Sequence, residues 1–256
     1  VSADPRPLDP RPLDPRARDP RPRDPRPLGA RSAAFAAVSA DTRALAALYA
    51  GFGAGVVLVA LLHAPAKGWV VLGLVVAFNL ALPLLAVAVE RRDWLALWAF
   101  LLPVSIFQIL PDWILVDTLR TLRFPVIGGP RIDHAINLAM GGMWVPPLFI
   151  VLSQARGRPG LAALLALAVF FGSELLAPVL ALWKPVGTDA RLAGVALYVL
   201  PAEAALGWAA VTAYAGVEGA SVTRRLAAAL AVSTFYLGAL VLAHFLIDTA
   251  GWTITV

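Results

Sequence analysis

The strongest constraint on this chain is a series of unbroken apolar runs, each about as long as a helix must be to cross a bilayer. Roughly 20 consecutive apolar residues span the hydrocarbon core. Seven runs come close to that length, at about 44–63, 69–89, 94–116, 136–153, 160–183, 192–216 and 224–247. They are continuous and rich in Leu and Ala, whereas membrane strands alternate in segments of about ten residues. The expected fold is therefore all-α: a polytopic membrane protein built on a seven-transmembrane-helix bundle. Composition agrees. Only 14% of the 256 residues are charged, against about 25% in a soluble domain.

The basic residues set an expected orientation. All 21 Lys and Arg lie outside the runs or at their ends. Nine precede the first run, and Arg91, Arg92, Arg156, Arg158, Arg224 and Arg225 fall on the same side, fifteen in all. The other side holds six: Lys67, Arg120, Arg123, Arg131, Lys184 and Arg191. The positive-inside rule then puts the N-terminus in the cytoplasm and the C-terminus outside, in the cytoplasmic membrane. The pI near 10.2 comes from these segments, so it implies a lipid surface as partner and gives no cause to invoke nucleic acid. There is no cysteine, which excludes disulfides, thiolate chemistry and Cys-ligated metal.

Three segments follow. Residues 1–43 form a Pro- and Arg-rich arm with a juxtamembrane stretch, 44–248 the membrane domain, and 249–256 a short outer tail. Residues 4–28 are five pentapeptides: DPRPL, DPRPL, DPRAR, DPRPR and DPRPL. Proline at that density prevents helix, and alternating acid and base resist burial. The arm is expected to be disordered, either without a role of its own or lying on anionic lipid. No apolar stretch follows promptly enough for a signal peptide. One outer connection, 118–135, is longer than the rest and punctuated by Pro125, Gly128, Gly129 and Pro130. It is expected to fold over the outer mouth as a lid.

Polar residues inside apolar runs are costly and usually face the bundle interior. Glu174 and Glu203 sit in the middle of runs, and Asp112 ends another. At 1.5 Å per residue, Glu203 lies ~18 Å, Glu174 ~14 Å and Asn79 ~15 Å from the outer boundary. Helical spacing places Ser105, Gln108 and Asp112 on one stripe. His134, Asn137, Gly141 and Trp144 share another, and Ser233, Tyr236 and His244 a third, with Asp248 one turn beyond. The pattern suggests an outward-facing cavity lined by acids, amides and aromatics. Each acid has a plainer reading, as a hydrogen-bonding partner that glues helices together; Asp112 could also cap a short helix over 113–122. Trp69, Trp94, Trp183 and Trp252 fit an interfacial belt.

Several chemistries are absent. The last run has no lysine for a retinal Schiff base, FFGSE does not match the GxS-beside-histidine arrangement of intramembrane serine proteases, and no paired NDxxD motif or HExxH is present. His63, His134 and His244 do not make a metal site by spacing. What remains is acid chemistry on an apolar substrate. Burial favours the neutral form of a carboxyl, which can then donate its proton. Protonating an alkene or epoxide makes a carbocation, which aromatic faces stabilise and apolar walls shield from water. Phe107, Trp113, Trp144, Phe171 and Tyr198 are the aromatic faces nearest the acids.

Seven runs, a bundle over residues 44–248, and the acids in PDW (111–113), GSE (172–174) and PAE (201–203) together resemble the integral-membrane type II terpene cyclases. These act in fungal meroterpenoid and actinobacterial drimane-indole pathways of secondary metabolism. Membrane lycopene cyclases are a related variant. The resemblance implies a protonation-initiated cyclisation of a prenylated, sesquiterpenyl substrate in terpenoid biosynthesis, without metal or other cofactor. It implies catalytic roles for Asp112, Glu203 and Glu174. Asn79, Ser105, Phe107, Gln108, Trp113, Trp144, Phe171, Tyr198, Tyr236 and His244 are the expected substrate-binding residues. One departure stands out. The fungal enzymes take one acid from an early helix and one from a late helix. Here the second run offers only Asn79 in its middle and Glu90 at its cytoplasmic end, so Glu203 is left as the late acid and Asp112 as the substitute for the early one. Two other classes remain open: a small-solute transporter or proton-coupled membrane protein, against which the lack of a visible repeat in the bundle counts, and a non-catalytic assembly partner. The oligomeric state is not encoded in any of these features.

Overall fold

The structure, a computed structural model, describes residues 28–250, and side chains from residue 40 onward. Contacts divide the chain into Val1–Ala40 and Asp41–Val256. Of the first unit only the helical stretch from Leu28 is described; the later helices and the cavities belong to the second. The pentapeptide arm lies almost wholly outside the described residues, as does Trp252. The juxtamembrane stretch is helical, because the first helix α1 runs Leu28–Leu61.

The chain is mostly helical. After α1 come α2 (Ala66–Ala88) and α3 (Arg92–Phe107), which continues through α4 (Ile109–Trp113) into a wide π-turn, Ile114–Thr118. The amide of Leu119 reaches back five residues to the Ile114 carbonyl at 2.9 Å. Strands β1 (Leu122–Arg123), β2 (Arg131–Ile132) and β3 (Ile136–Asn137) lead to α5 (Met140–Met143), α6 (Val145–Ala155) and α7 (Pro159–Val179). Strands β4 (Lys184–Pro185), β5 (Arg191–Leu192) and β6 (Val195–Ala196) precede α8 (Val199–Gly216) and α9 (Val222–His244), which also ends in a π-turn, Phe245–Thr249. Asp112 lies inside a continuing helical stretch and caps nothing.

Among the described residues, five helical stretches are long and apolar enough to cross a membrane: Ala40–Leu61, Ala66–Ala88, Arg92–Thr118, Pro159–Val179 and Val222–Thr249. Two of the seven expected spans fall short. The apolar helix over Met140–Ala155 is shorter, since the run from residue 136 is spent on a hairpin and on a break at Trp144. The run from 192 also opens with a hairpin, and the eighteen helical residues left in α8, with Glu203 and several small or polar residues among them, are not apolar enough over that length.

The chain reverses at alternate ends. At one end Arg91 pairs with Asp93 at 2.6 Å and with Asp41 at 3.2 Å, and these contacts, Asp93 foremost, push the Arg91 pKa up. At the other end sit the strands. β1 pairs antiparallel with β4, β2 with β3, and β5 with β6. The long connection is tied down. Gly68 donates to the Ile127 carbonyl at 2.9 Å, and the Arg131 guanidinium donates to the carbonyls of Phe124, Pro125 and Ala135. Gly128, at φ +87°, rests against the Pro65 carbonyl, where a side chain would collide with backbone.

One unit recurs. A hairpin turning through two left-handed residues, Asp133 and His134 or Ala193 and Gly194, leads into a helix, a short reversal and a second helix. Mirror-type turns of this kind match the twist of the strands they join. The π-turns recur too, as ILVDT and FLIDT. The helices α7 and α8 approach closely where Gly207 faces Ala162 and Ala166, small residues of the sort that let membrane helices pack closely.

Candidate functional site

Two adjoining cavities lie inside the bundle. The larger, about 190 Å³, is walled by Phe52, Val56 and Val59 of α1, by Val71, Leu74 and Val75 of α2, and by the second half of α7. Its polar margin is Glu174 and Glu203. The smaller, about 30 Å³, is bordered by Asp112, Tyr198 and Tyr236, and is capped from the strand end by Leu122, Phe124 and Pro185. Met140, Trp144, Glu174 and Trp183 line both. Thus the three acids border one continuous region, with Glu174 at the junction.

The carboxyls differ in their surroundings. Glu203 is 1% exposed and Asp112 4%, and Glu203 Oε2 and Asp112 Oδ2 have no protein hydrogen-bond partner. Glu174 is held: its Oε1 accepts from Trp183 Nε1 at 3.0 Å. Trp183, expected in an interfacial belt, is therefore a cavity residue, and the Trp94 ring is buried. Trp144 is the hub of the aromatic wall. Its ring lies 5.1 Å from Phe170 and 5.7 Å from Tyr236, and its own Nε1 is buried without a partner.

Other expected binding residues stand behind this wall. Ser105 Oγ accepts from the Trp144 amide at 3.1 Å. Asn79 Nδ2 donates to the carbonyls of Val75 and Gly142. Both polar groups meet backbone that the helix break at Trp144 leaves unsatisfied, so they fix the break and do not line either cavity. Gln108 is fully buried on the same stripe, and neither cavity includes it. Phe107 and Trp113 border a separate surface cleft with Ile106 and Leu110. Phe170, and not its neighbour Phe171, reaches the cavity, because one residue turns a helix position by about 100°. His244 sits a layer out: its ring meets that of Tyr198 at 5.1 Å, and its Nδ1 lies 3.4 Å from Asp248. Tyr198 itself donates to Thr121 Oγ1 at 3.0 Å.

The sequence reading missed Phe52, Val56, Val59, Met140, Phe170 and Trp183. Apolar residues at spacings of 4 and 3 on the first helix carried a face signal, but nothing marked that face as a cavity wall. Chemically, the arrangement offers a hydrocarbon-lined space with two carboxyls free to donate, one held carboxyl, and aromatic faces between them.

No curated protein and no solved structure matches the chain. Residues 109–247, which take in all three acids and most of the cavity lining, match the family model described as "Domain of unknown function (DUF6989)". That match covers more than half of the 256 residues, and the chain belongs to this family.

Proposed function

We propose that the protein is a membrane-bound cyclase that closes rings in a prenylated, sesquiterpenyl substrate by protonation. The observation that carries this reading is the apolar cavity pair bordered by Asp112, Glu174 and Glu203, with Trp144, Phe170 and Tyr236 packed between the acids. A neutral carboxyl, Glu203 or Asp112, gives its proton to a carbon of an alkene, whose π pair becomes the new C–H bond. The cation left on the neighbouring carbon is attacked by a second alkene, which forms the ring bond. Loss of a proton to a carboxylate ends the sequence and leaves an isomer of the substrate. Glu174, oriented by Trp183, serves as the partner that accepts or positions. The aromatic faces favour the cation, and the apolar wall keeps water from it.

In this reading the shorter helices α6 and α8 complete seven passes, with the N-terminus in the cytoplasm on the side of the fifteen basic residues. Reporter fusions after Gly157 and after Val186 should then report opposite sides; both on one side refutes the topology.

Purified protein incubated with farnesylated indole or quinone in EDTA tests the chemistry. Asp112→Asn and Glu203→Gln keep shape but cannot supply the proton. At least one should lose about 10²-fold or more of the activity, the usual scale of general acid–base help. Full activity in both variants, or a strict need for Mg²⁺, refutes the mechanism. The recurrent hairpin–helix–helix unit favours one other reading, proton-coupled transport, since transporters are often built from repeats. Substrate-driven proton movement in sealed vesicles without any cyclised product would select it.

A further inference from the structure

One wall of the larger cavity is α1, and that helix is unevenly held. Of the five long apolar stretches, Ala40–Leu61 is the least buried, at 6% of its window. Its polar ties all lie in the half toward Asp41. Asp41 accepts from Arg91 at 3.2 Å, and the Tyr49 hydroxyl donates to the Pro146 carbonyl at 2.7 Å. The Tyr49 and Phe52 rings also lie edge-on to Phe78, at 5.3 and 5.1 Å. Beyond Phe52 the helix reads GAGVVLVAL and has no polar side chain at all. Between the held half and the apolar half stand Gly51, Gly53 and Gly55. Around Gly51 and Gly53 nothing lies within 4 Å of where a Cβ would be, so close packing does not require glycine there. Paired glycines are where helices bend.

The apolar half covers the cavity. Val56 and Val59 line it, and across from them on α7 so does Leu176, 51% exposed. The lining therefore reaches the outer surface of the bundle between α1 and α7, where a membrane would offer only hydrocarbon. The opposite, polar margin with Glu174 and Glu203 is the closed end.

We propose that Val56–Leu61 is a side door, bending about Gly51–Gly55, through which a chain-shaped isoprenoid passes from the bilayer into the larger cavity. Its hydrocarbon end leads toward the carboxyls. The ligand class is thus a membrane-dissolved lipid and not an aqueous solute. The inference rests on the reading that this cavity holds the substrate, but it does not depend on the chemistry that follows.

The absence of cysteine from the chain makes the test clean. A Cβ on Gly55 would lie 3.3 Å from Leu74 Cγ, so Gly55→Cys with Leu74→Cys brings two Cβ atoms to ~4–5 Å, near the range a disulfide accepts. The double variant is placed in lipid nanodiscs with a diazirine-bearing C15 prenyl alcohol. Samples are illuminated after set times, and adducts on Met143, Trp144 and Trp183 are counted by peptide mapping. Adducts on lipid-facing Leu84 and Val87 serve as the internal control. The oxidised form is compared with the reduced form of the same double variant, because Leu74 itself lines the cavity. Oxidation should slow cavity labelling at least tenfold, leave the control unchanged, and be reversed by dithiothreitol. Gly51→Ala with Gly53→Ala, which fits the open space and only stiffens the helix, should slow labelling several-fold. Equal cavity labelling in oxidised and reduced protein, and in the alanine variant, overturns the door while leaving the cavity reading intact. Cavity residues that stay unlabelled in the parent overturn both.

Discussion

Gly207 offers the sharpest test of how the bundle is assembled. It lies one turn beyond Glu203 on the same face of α8, and an added Cβ would sit 2.6 Å from the Ala162 carbonyl oxygen and also against the Ala166 Cβ. The oxygen belongs to helix backbone, so the strain cannot be relieved by a rotamer. Bringing the oxygen contact alone to about 3.2 Å needs α7 and α8 to part by roughly 0.6 Å, and the still closer Ala166 Cβ needs more, or the new methyl is left strained. Overpacking of this kind costs about 1–3 kcal/mol, and alanine regains up to about 1 kcal/mol of helix propensity over glycine. Gly207→Ala should therefore be destabilised by ~0–2 kcal/mol, a fall in Tm of up to ~8 °C by the scaling for chains of this size. Gly207→Val adds bulk against the same oxygen without the full propensity gain and should exceed ~3 kcal/mol. Ala166→Gly should rescue the alanine variant only in part, because it removes one obstacle and leaves the carbonyl. Thermal unfolding in one detergent, followed by tryptophan fluorescence, reads all four proteins. An unchanged or raised Tm in Gly207→Val, or complete rescue by Ala166→Gly, would refute the close-approach argument.

Three further expectations follow from single contacts. Lys67 is buried and its Nζ donates to the Leu180 carbonyl at 3.2 Å, just past the end of α7, where a cation also meets the helix dipole; Lys67→Met should lower stability by about 1–2 kcal/mol, measured by the same unfolding assay, and an unshifted transition would show the contact to be idle. Asp248 Oδ1 accepts from the Ala190 amide at 3.0 Å, so Asp248→Ala should cost about 1 kcal/mol or more for the orphaned donor, while Asp248→Asn, which keeps an acceptor, should cost less than half as much. Arg91 sits on the surface, so Arg91→Gln should cost under about 1 kcal/mol. Its raised pKa means that any contribution is fully present below the unfolded value and is lost only as pH climbs past the folded one; the difference between parent and variant should therefore be flat from roughly pH 6 to 9, and a slope across that window would point to another group.

Much of the architecture could be read from the residues because hydrophobic runs obey a length rule. Each apolar run contains one of the observed helices, and the reversals carry the Arg pairs. The rule failed where a run was shared between two structures. Residues 136–139 and 192–198 are as apolar as the helices they precede, yet they form hairpin arms and a turn, and hydropathy alone does not separate an apolar strand from an apolar helix. The acids were legible for a different reason: a carboxyl inside an apolar run must find the interior, and depth arithmetic brings Glu174 and Glu203 to a common level. Face assignment was less secure. Helical spacing put Ser105 and Gln108 on the stripe of Asp112, but the helix is interrupted at Gln108 between them, and Asp112 reaches a cavity while Ser105 meets backbone. Trp183 was misread because its position at the end of a run is also what an interfacial tryptophan shows; only the 3.0 Å bond to Glu174 tells the two apart.

The recurrent unit explains why the site is one-sided. Counting from the last residue of each hairpin, Asn137 and Ala196, the seventh residue is Trp144 in the first unit and Glu203 in the second. The two positions are equivalent in the chain path, and both side chains line the larger cavity. One unit therefore presents a carboxyl and the other an indole to the same space. The helices diverge accordingly. Around Glu203 α8 is unbroken, so its backbone groups are satisfied within the helix. At Trp144 the helix is interrupted, and Ser105 and Asn79 from two other helices take up the freed backbone groups. The sequence hides this relation, because little is shared beyond the Arg that opens each hairpin, Arg131 and Arg191. What the recurrent unit supplies is a pair of matched positions on the wall of one apolar cavity, one filled with an acid and the other with a large aromatic face. Under the proposed cyclisation the acid would give the proton and the indole face would favour the cation, a division that two acids or two indoles at the same positions would lack.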